Sequence, residues 1–487
     1  MKILTGKNIR EADLYTMENE PISSLDLMER ASQKLAEYIA ERFPKRTEFV
    51  IFVGKGNNGA DGLVVARLLS QKRYKCRVIT LFDEKECSEE YRANYRILPS
   101  DVVVEKLNGD LFIDKKEVLV DALLGTGLNG VATSPIKEAI DFINGVENTV
   151  VSIDMPSGMT TEFGNGGREV VKADITLTLQ FPKLSLLLPE GGGNTGDMVI
   201  LPIGLDRDFM EKSDSVYNYI TSKEISKLNL KRPEFGHKGT FGHALVICGK
   251  KGMMGAAVLS ASSALRSGCG LVTVHVPENE RQVIHITNPS AIVSCGQGDS
   301  FSGLPEGLDK YSSVGVGSGM GNSPETVLAL RKLLTEYRKP MVVDADALNI
   351  ISENNDMLDL IPESSILTPH PGELERLLGK WNGDEDKIRM IVEFAGKYKV
   401  IMVVKGAHTM ICLSDGKIYF NSTGNPGMAK GGSGDVLTGI ITGYLAKGLS
   451  PSNAAIKGVF DHGRAGDDAA LSIGREQMNS EDIVNFL

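Results

Sequence analysis

The chain has no C-x-x-C pair, and none of its six cysteines (Cys76, Cys87, Cys248, Cys269, Cys295, Cys412) clusters with histidine. That pattern argues against a zinc site and fits reduced, buried thiols in a cytosolic protein. No uninterrupted apolar run is long enough to span a bilayer, so no membrane partner is expected. The opening MKILTGKNIREAD turns polar too early for a signal peptide, which points to a cytoplasmic protein. Positive charge is in deficit. With 53 Lys and Arg against 63 Asp and Glu, the net charge is −10, unlike a nucleic-acid or anionic-membrane surface. The sequence carries no internal repeat and no low-complexity tract, so a solenoid is not expected.

What is present is an ordinary soluble balance, 41% hydrophobic and 24% charged over 487 residues, long enough for roughly two to four domains. Ser23–Phe43 reads as a helix, with Ser23 and Asp26 at capping-box spacing and Leu25, Met28, Leu35 and Ile39 on one face. Short strands read at 48–54, 76–82, 118–125, 149–158, 175–179 and 197–204. A polar stretch, 206–231, follows, and the boundary between domains 1–212 and 213–487 is placed within it. A second series reads at 243–249, 271–276, 313–317, 341–345, 365–369 and 400–404. The stretch 410–420 reads as a hairpin around Asp415-Gly416. Strands alternating with helices indicate parallel sheets covered on both faces, so the fold class is α/β, with two three-layer αβα domains.

Two glycine loops stand out. Gly431, Gly432 and Gly434 run straight into an apolar-striped helix over 436–445. Such a loop presents free N–H groups and a helix dipole to one spot, an anion site. Asp435 puts a negative charge at that spot, where its task would be to take a proton from a hydroxyl attacking a phosphate. The plainer reading is an N-capping Asp. In the first half, Gly54, Gly56 and Gly59 form G-x-G-x-x-G between a strand and a helix, with Asp83 at the spacing of a ribose-binding carboxylate. Taken alone this says dinucleotide binding, or a packing turn with no ligand. Asn57, Asn58 and Asp61 add amides and a carboxylate that a pyrophosphate cradle does not need. Asp121, the 125–131 loop and Asp154–Gly158 end other strands of the same sheet, and such loops meet at its carboxyl edge. Asn58, Asp121 and Ser157 would bring oxygens together there, a set suited to a weakly held hard cation.

The stretch TGNPGMAKGGSGDVLTG (423–439) resembles the signature of ribokinase-like kinases, where the Asp is the catalytic base. With GHKGTFGHALVICG, GMMGAA, SGCGLVTV, VGVGSGMG, DADALN, TPHPGE and KGAHT in that order over 225–487, the second half resembles the ADP/ATP-dependent NAD(P)H-hydrate dehydratases. Residues 1–210 resemble the NAD(P)H-hydrate epimerase domain, of Rossmann-like fold. The usual NNGGDG is here NNGADG, with Ala60 in place of a glycine.

The resemblance implies that Asn57, Asn58, Gly59, Ala60, Asp61 and the loop Gly125, Thr126, Gly127, Leu128, Asn129, Gly130, Val131 bind the hydrated cofactor, NADHX or NADPHX. It implies a potassium ion on Asn58, Asp121 and Ser157, and substrate binding with proton transfer at Asp154. In the second half it implies a ribokinase-like fold and adenine-nucleotide binding by Lys405, Gly406, Ala407, His408, Thr409, Asn425, Lys430, Gly431, Gly432, Ser433 and Gly434. His370, Gly317 and Gly319 would line the substrate side, with Asp435 as base. Lys238 is a further candidate for anion contact. Cys248 and Lys250-Lys251 stand in a loop that is usually small and neutral, which raises local positive charge near the nucleotide. Magnesium is expected with the nucleotide, ADP is favoured over ATP because fused members usually use it, and a homo-oligomer is expected. An ordinary small-molecule kinase, a nicotinamide-dependent oxidoreductase and a nucleotide-sensing scaffold are the competing readings.

Overall fold

The computed structural model describes every residue of the chain except Asn129. It contains two compact units, Met1–Tyr217 with Gly383–Glu385, and Asn218–Asn382 with Asp386–Leu487.

The first unit holds strands β1 (Glu48–Val53), β2 (Lys75–Thr80), β3 (Val103–Lys106), β4 (Val118–Ala122), β5 (Val150–Ile153), β6 (Ile175–Leu179) and β7 (Asp197–Leu201). They form one sheet in the order β3-β2-β1-β4-β5-β6-β7. Every pairing is parallel. β1 is an almost continuous apolar run because a parallel strand under helices has no solvent face. Its alternate residues feed two cores. Phe49, Ile51 and Val53 pack with Leu35, Ile39, Leu63 and Leu69. Val50 and Phe52 pack with Ala139, Ile140 and Ile143. The sheet is therefore a filling between two helical layers.

Helix Ser24–Arg42 starts where its capping box demands, with the Asp26 N–H donating to the Ser23 hydroxyl. Helix Gly6–Asn19, by contrast, was not expected from the sequence. It buries only Ile9, Ala12 and Thr16, a stripe too narrow to show against its polar surroundings.

The second unit's sheet runs through β8 (Tyr217–Tyr219), β9 (His243–Ile247), β10 (Leu271–Pro277), β11 (Ile292–Gly296), β12 (Ser313–Val316), β13 (Val342–Val343), β14 (Ile366–Leu367), β15 (Ile401–Val404), β16 (Met410–Cys412) and β17 (Ile418–Phe420). The order is β11-β10-β9-β12-β13-β14-β15-β16-β17-β8. β11 through β15 pair in parallel. β15, β16 and β17 are antiparallel, and the hairpin turn at Asp415-Gly416 joins β16 to β17. Ala244 and Val246 pack on Ala257, Ala261 and Ala264 of helix Met254–Arg266. Val436 and Ile440 of helix Ser433–Ala446 pack in a core with Val342, Ile366 and Val403. The polar stretch after residue 206 is not a plain linker. It folds into helix Arg207–Lys212, β8 and helix Ser222–Ser226.

Among the parallel strands of each sheet the order reverses once, between β1 and β4 and between β9 and β12. The carboxyl edge beside such a reversal is where an open α/β sheet leaves a crevice.

Candidate active sites at the two sheet reversals

At the first reversal the glycines of G-x-G-x-x-G serve packing first. A Cβ on Gly54 would collide with the Leu123 carbonyl, and one on Gly59 with the Gly54 carbonyl. Gly56, by contrast, faces open space and caps helix Asn57–Gln71. Asp83 caps the short turn Glu84–Glu86 and pairs with Lys106 at 2.5 Å, so its carboxylate is occupied locally.

Asn58 and Gly125 come together, since a Cβ on Gly125 would lie 3.3 Å from Asn58 Oδ1. The Asn58 side-chain nitrogen is buried with no hydrogen-bond partner. Asp121 is wholly buried. Its carboxylate accepts from the Ser157 hydroxyl at 2.5 Å, the Ser157 N–H and the Ser152 hydroxyl at 2.8 Å each, and the Leu123 N–H at 3.2 Å. No lysine or arginine pairs with it among the described residues. Burial pushes its pKa up, against those four hydrogen bonds. The Ser157 oxygen also accepts from the Leu124 N–H at 2.8 Å. Of the 125–131 loop, Gly127, Gly130 and Val131 are exposed and Gly125, Thr126 and Leu128 half-buried. Asn129 lies outside the described residues.

Asp154 follows β5 with φ +66°, a left-handed conformation that a non-glycine residue holds only where its surroundings insist. Its carboxylate accepts from the Lys183 ammonium and from the Leu179 N–H at 3.2 Å. Lys183 is 1% exposed and spends its other protons on the Thr178 hydroxyl at 3.0 Å and the Leu179 carbonyl at 3.1 Å. The only signal of Lys183 in the sequence was a lysine in an otherwise apolar FPKLSLLL. Asp61 accepts from the Ser32 hydroxyl at 2.9 Å. Burial, partly offset by that hydrogen bond and reinforced by Asp154 and Asp13, pushes its pKa up to about 8. Asp13, on the unexpected first helix, is raised to about 6 by burial and by Asp154.

At the second reversal, helix Ser433–Ala446 is capped by Gly432 at φ +92°, which leaves Asp435 in the helix's first turn and not at its cap. Neither the Gly434 nor the Asp435 N–H has a backbone acceptor. Lys405 lies beneath them, with its ammonium 3.3 Å from where a Gly434 Cβ would be. The ammonium donates to Asp344 at 2.8 Å and stands 3.8 Å from Glu373. Burial opposes its charge, but those two carboxylates outweigh burial and raise its pKa. The other Asp344 oxygen accepts from the Thr438 hydroxyl at 2.7 Å. Burial raises the Asp435 pKa to about 6, with Ser318 and Lys405 pulling it down and Asp344 and Asp346 pushing it up. Asp344 stood in view in DADALN without a role. Ser433 is in hydrogen-bond range of His462 at 3.3 Å, and burial drops that imidazole to a pKa of about 4.

Other expected contacts are spent within the protein. His370 caps helix Pro371–Leu378, its Nδ1 accepting from Gly372 and Glu373 N–H groups. The Asn425 side chain bonds Gly427, Gly466 and Asp467. Lys430 reaches the carbonyls of Glu476 and Met478. His408 meets the Asn421 carbonyl at 3.1 Å. The Gly406 N–H donates to the Thr409 hydroxyl at 3.4 Å, and Ala407 is exposed beside them. Gly319 lies against Met253 and Ala256 at the crevice. Lys251 pairs with Asp299 at 3.4 Å. Lys238 is exposed just before β9, at the opposite end of that strand from the crevice.

Both halves of the chain match known protein families. Residues 244–487 match the NAD(P)H-hydrate dehydratase family and residues 24–185 the YjeF-related protein N-terminus. The bifunctional NAD(P)H-hydrate repair enzyme of Moorella thermoacetica is 33% identical, over 100% of this chain and 96% of its own. Its counterpart from Coxiella burnetii is 35% identical, over 99% and 98%. The chain belongs to the bifunctional NAD(P)H-hydrate repair enzymes. A crystal structure of the ADP/ATP-dependent NAD(P)H-hydrate dehydratase of Bacillus subtilis, co-crystallized with ATP/Mg2+, is 27% identical. It covers 55% of this chain and 95% of its own, with a TM-score of 0.49. In this repair enzyme the dehydratase match therefore spans the crevice of Asp435 and Lys405, and the N-terminal match spans that of Asn58, Asp121 and Asp154. No helix among the described residues is long and apolar enough to cross a membrane.

Proposed function

We propose that this repair enzyme restores hydrated NADH and NADPH. The second unit dehydrates the S form at the expense of an adenine nucleotide, and the first interconverts the R and S forms. The observation that carries the dehydratase reading is the meeting of Asp435, the Lys405 ammonium and the free N–H groups at one helix terminus.

Hydroxide is a poor leaving group, and phosphorylation makes a good one. Asp435 takes the proton of the ring hydroxyl, whose oxygen attacks the terminal phosphorus of the nucleotide. The bond to the nucleotide's bridging oxygen breaks. Lys405 and the loop N–H groups stabilise the charge in transfer. The ring-nitrogen lone pair then expels phosphate, and the neighbouring carbon loses a proton to it, restoring the ring double bond. A pKa near 6 suits a base that works at neutral pH. No group of three His, Cys, Asp or Glu side chains that could hold a metal occurs among the described residues. Magnesium fits here as an ion brought in on the phosphates, the usual manner of its binding.

The first crevice suits potassium. Asp121 is a buried carboxylate with no cationic side chain paired to it among the described residues, and the Asn58 amide oxygen lies beside Gly125. A monovalent ion held by Asn58, Asp121 and Ser157 oxygens would supply the missing charge.

Incubation with mixed R and S hydrated NADH and ADP or ATP tests the reading. Both forms should return to NADH, with one phosphate released per turnover. Consumption of the S form alone would remove the epimerase, and a stable phosphorylated product would make the second unit an ordinary kinase.

A further inference from the structure

The first crevice holds more carboxyl groups than it can ionise together. Asp154 follows β5, Asp61 stands on helix Asn57–Gln71 and Asp13 on helix Gly6–Asn19, and the Lys183 ammonium acts on Asp154 and Asp13. Asp154 takes that ammonium directly. Among the described residues, Asp61 receives only the Ser32 hydroxyl, from helix Ser24–Arg42. Two further acids of the surrounding elements are engaged elsewhere. Glu29, on the same helix as Ser32, pairs with Arg67. Asp121, at the end of β4, is turned to Ser152 and Ser157.

We propose that Asp61 is the proton donor of the epimerisation and Asp154 the proton acceptor, because the Lys183 ammonium contacts Asp154 directly while Asp61 receives a neutral hydroxyl. This rests on the epimerase reading of the first unit. Two carboxyl groups in one site whose surroundings drive them apart are the ordinary way for a protein to assign an acid and a base. Burial and the neighbouring Asp154 and Asp13 charges keep the Asp61 proton on at neutral pH. Lys183 is a positioning residue. It is fully buried with its protons committed, so it acts through Asp154.

The chemistry balances without a redox partner. The hydroxyl-bearing carbon of the hydrated ring is bonded to the ring nitrogen, so the centre is a hemiaminal. Asp154 takes the hydroxyl proton and the oxygen lone pair forms a carbonyl. The carbon–nitrogen bond breaks, its electron pair goes to nitrogen, and Asp61 protonates that nitrogen. The open aldehyde rotates about its carbon–carbon bond. The nitrogen lone pair then attacks the other carbonyl face, its proton returns to Asp61, and the new alkoxide recovers the proton from Asp154. Both side chains end as they began, and only the configuration has changed.

The test uses the full chain, with S-form dehydration as the control for folding. In the native enzyme, kcat for epimerisation should fall as pH rises through about 8, because the acid is lost. Asp61→Asn should lower kcat by roughly 10²–10⁴ and leave dehydration unchanged. Asp61→Glu should recover part of the rate and keep an alkaline limb, displaced from the native one. Epimerisation by Asp61→Asn at the native rate would overturn the proposal. So would a native profile flat from pH 7 to pH 9.5, since Asp61 would then be a spacer. A native chain that did not epimerise at all would instead sink the epimerase reading.

Discussion

The Lys405 ammonium is held 2.8 Å from Asp344, at the side of the site where a Gly434 Cβ would stand 3.3 Å from it. Asp344 thus does two things. It anchors the lysine under the free N–H groups, and its charge raises the pKa of Asp435. Asp344→Asn should therefore loosen Lys405 and lower dehydration kcat/KM by about 10–10². It should also move the acid limb of the dehydration profile to lower pH. A fall in rate with the acid limb in place would reduce Asp344 to an anchor alone. The pH dependence of kcat/KM for both proteins decides this.

Asp435 must be ionised to act. Dehydration should fall as pH drops below about 6, the value to which burial raises its pKa. Asp435→Asn keeps the shape and removes the acceptor. Turnover should fall by roughly 10²–10⁴. Nucleotide binding, followed by calorimetry, should survive or tighten, since a carboxylate no longer faces the phosphates. Epimerisation should stay at the native rate. Lost binding with dehydration intact in the bound fraction would make Asp435 structural.

Asp121 makes cation dependence visible without a turnover assay. Its folded pKa is raised by burial above the unfolded value. Stability is therefore unaffected below the unfolded pKa, falls as pH rises from there to the folded pKa, and stays lowered above it, where the buried group is charged. A potassium ion offsets that cost only when the carboxylate is charged. Potassium should raise the thermal midpoint over a larger-cation buffer, more so at higher pH, and this dependence should vanish in Asp121→Asn. At ten times its dissociation constant the ion would add about 1.4 kcal/mol. Equal midpoints in the two buffers across the pH range would remove the ion from the site.

Gly432 carries φ +92°, and a Cβ there would lie 2.5 Å from Leu259 Cδ1. Gly432→Ala should cost about 1–3 kcal/mol in strain and disorganise the loop N–H groups. Dehydration should fall at least tenfold while epimerisation is retained. Unchanged dehydration, measured beside thermal unfolding, would show that the loop tolerates the strained residue.

Most of the strands, the capped helix Ser24–Arg42 and the glycine loop ahead of Asp435 were legible along the chain, because each is a local pattern. Parallel strands are continuous apolar runs, caps have fixed spacing, and a loop presenting bare N–H groups needs glycine. The same locality hid helix Gly6–Asn19, whose three buried residues gain meaning only from what they pack against. By itself the sequence determined two α/β halves and the motif carrying Asp435. It could not show that Lys183 serves Asp154, that Asp344 holds Lys405, or that His370, Asn425 and Lys430 are engaged by other groups of the protein. Those are pairings across 29 and 61 residues for the two ion pairs, set by which strand ends the topology brings to one edge. Charge states followed with them. Burial and neighbouring carboxylates set whether Asp61 and Asp435 hold a proton, and both exist only once the chain has closed around them.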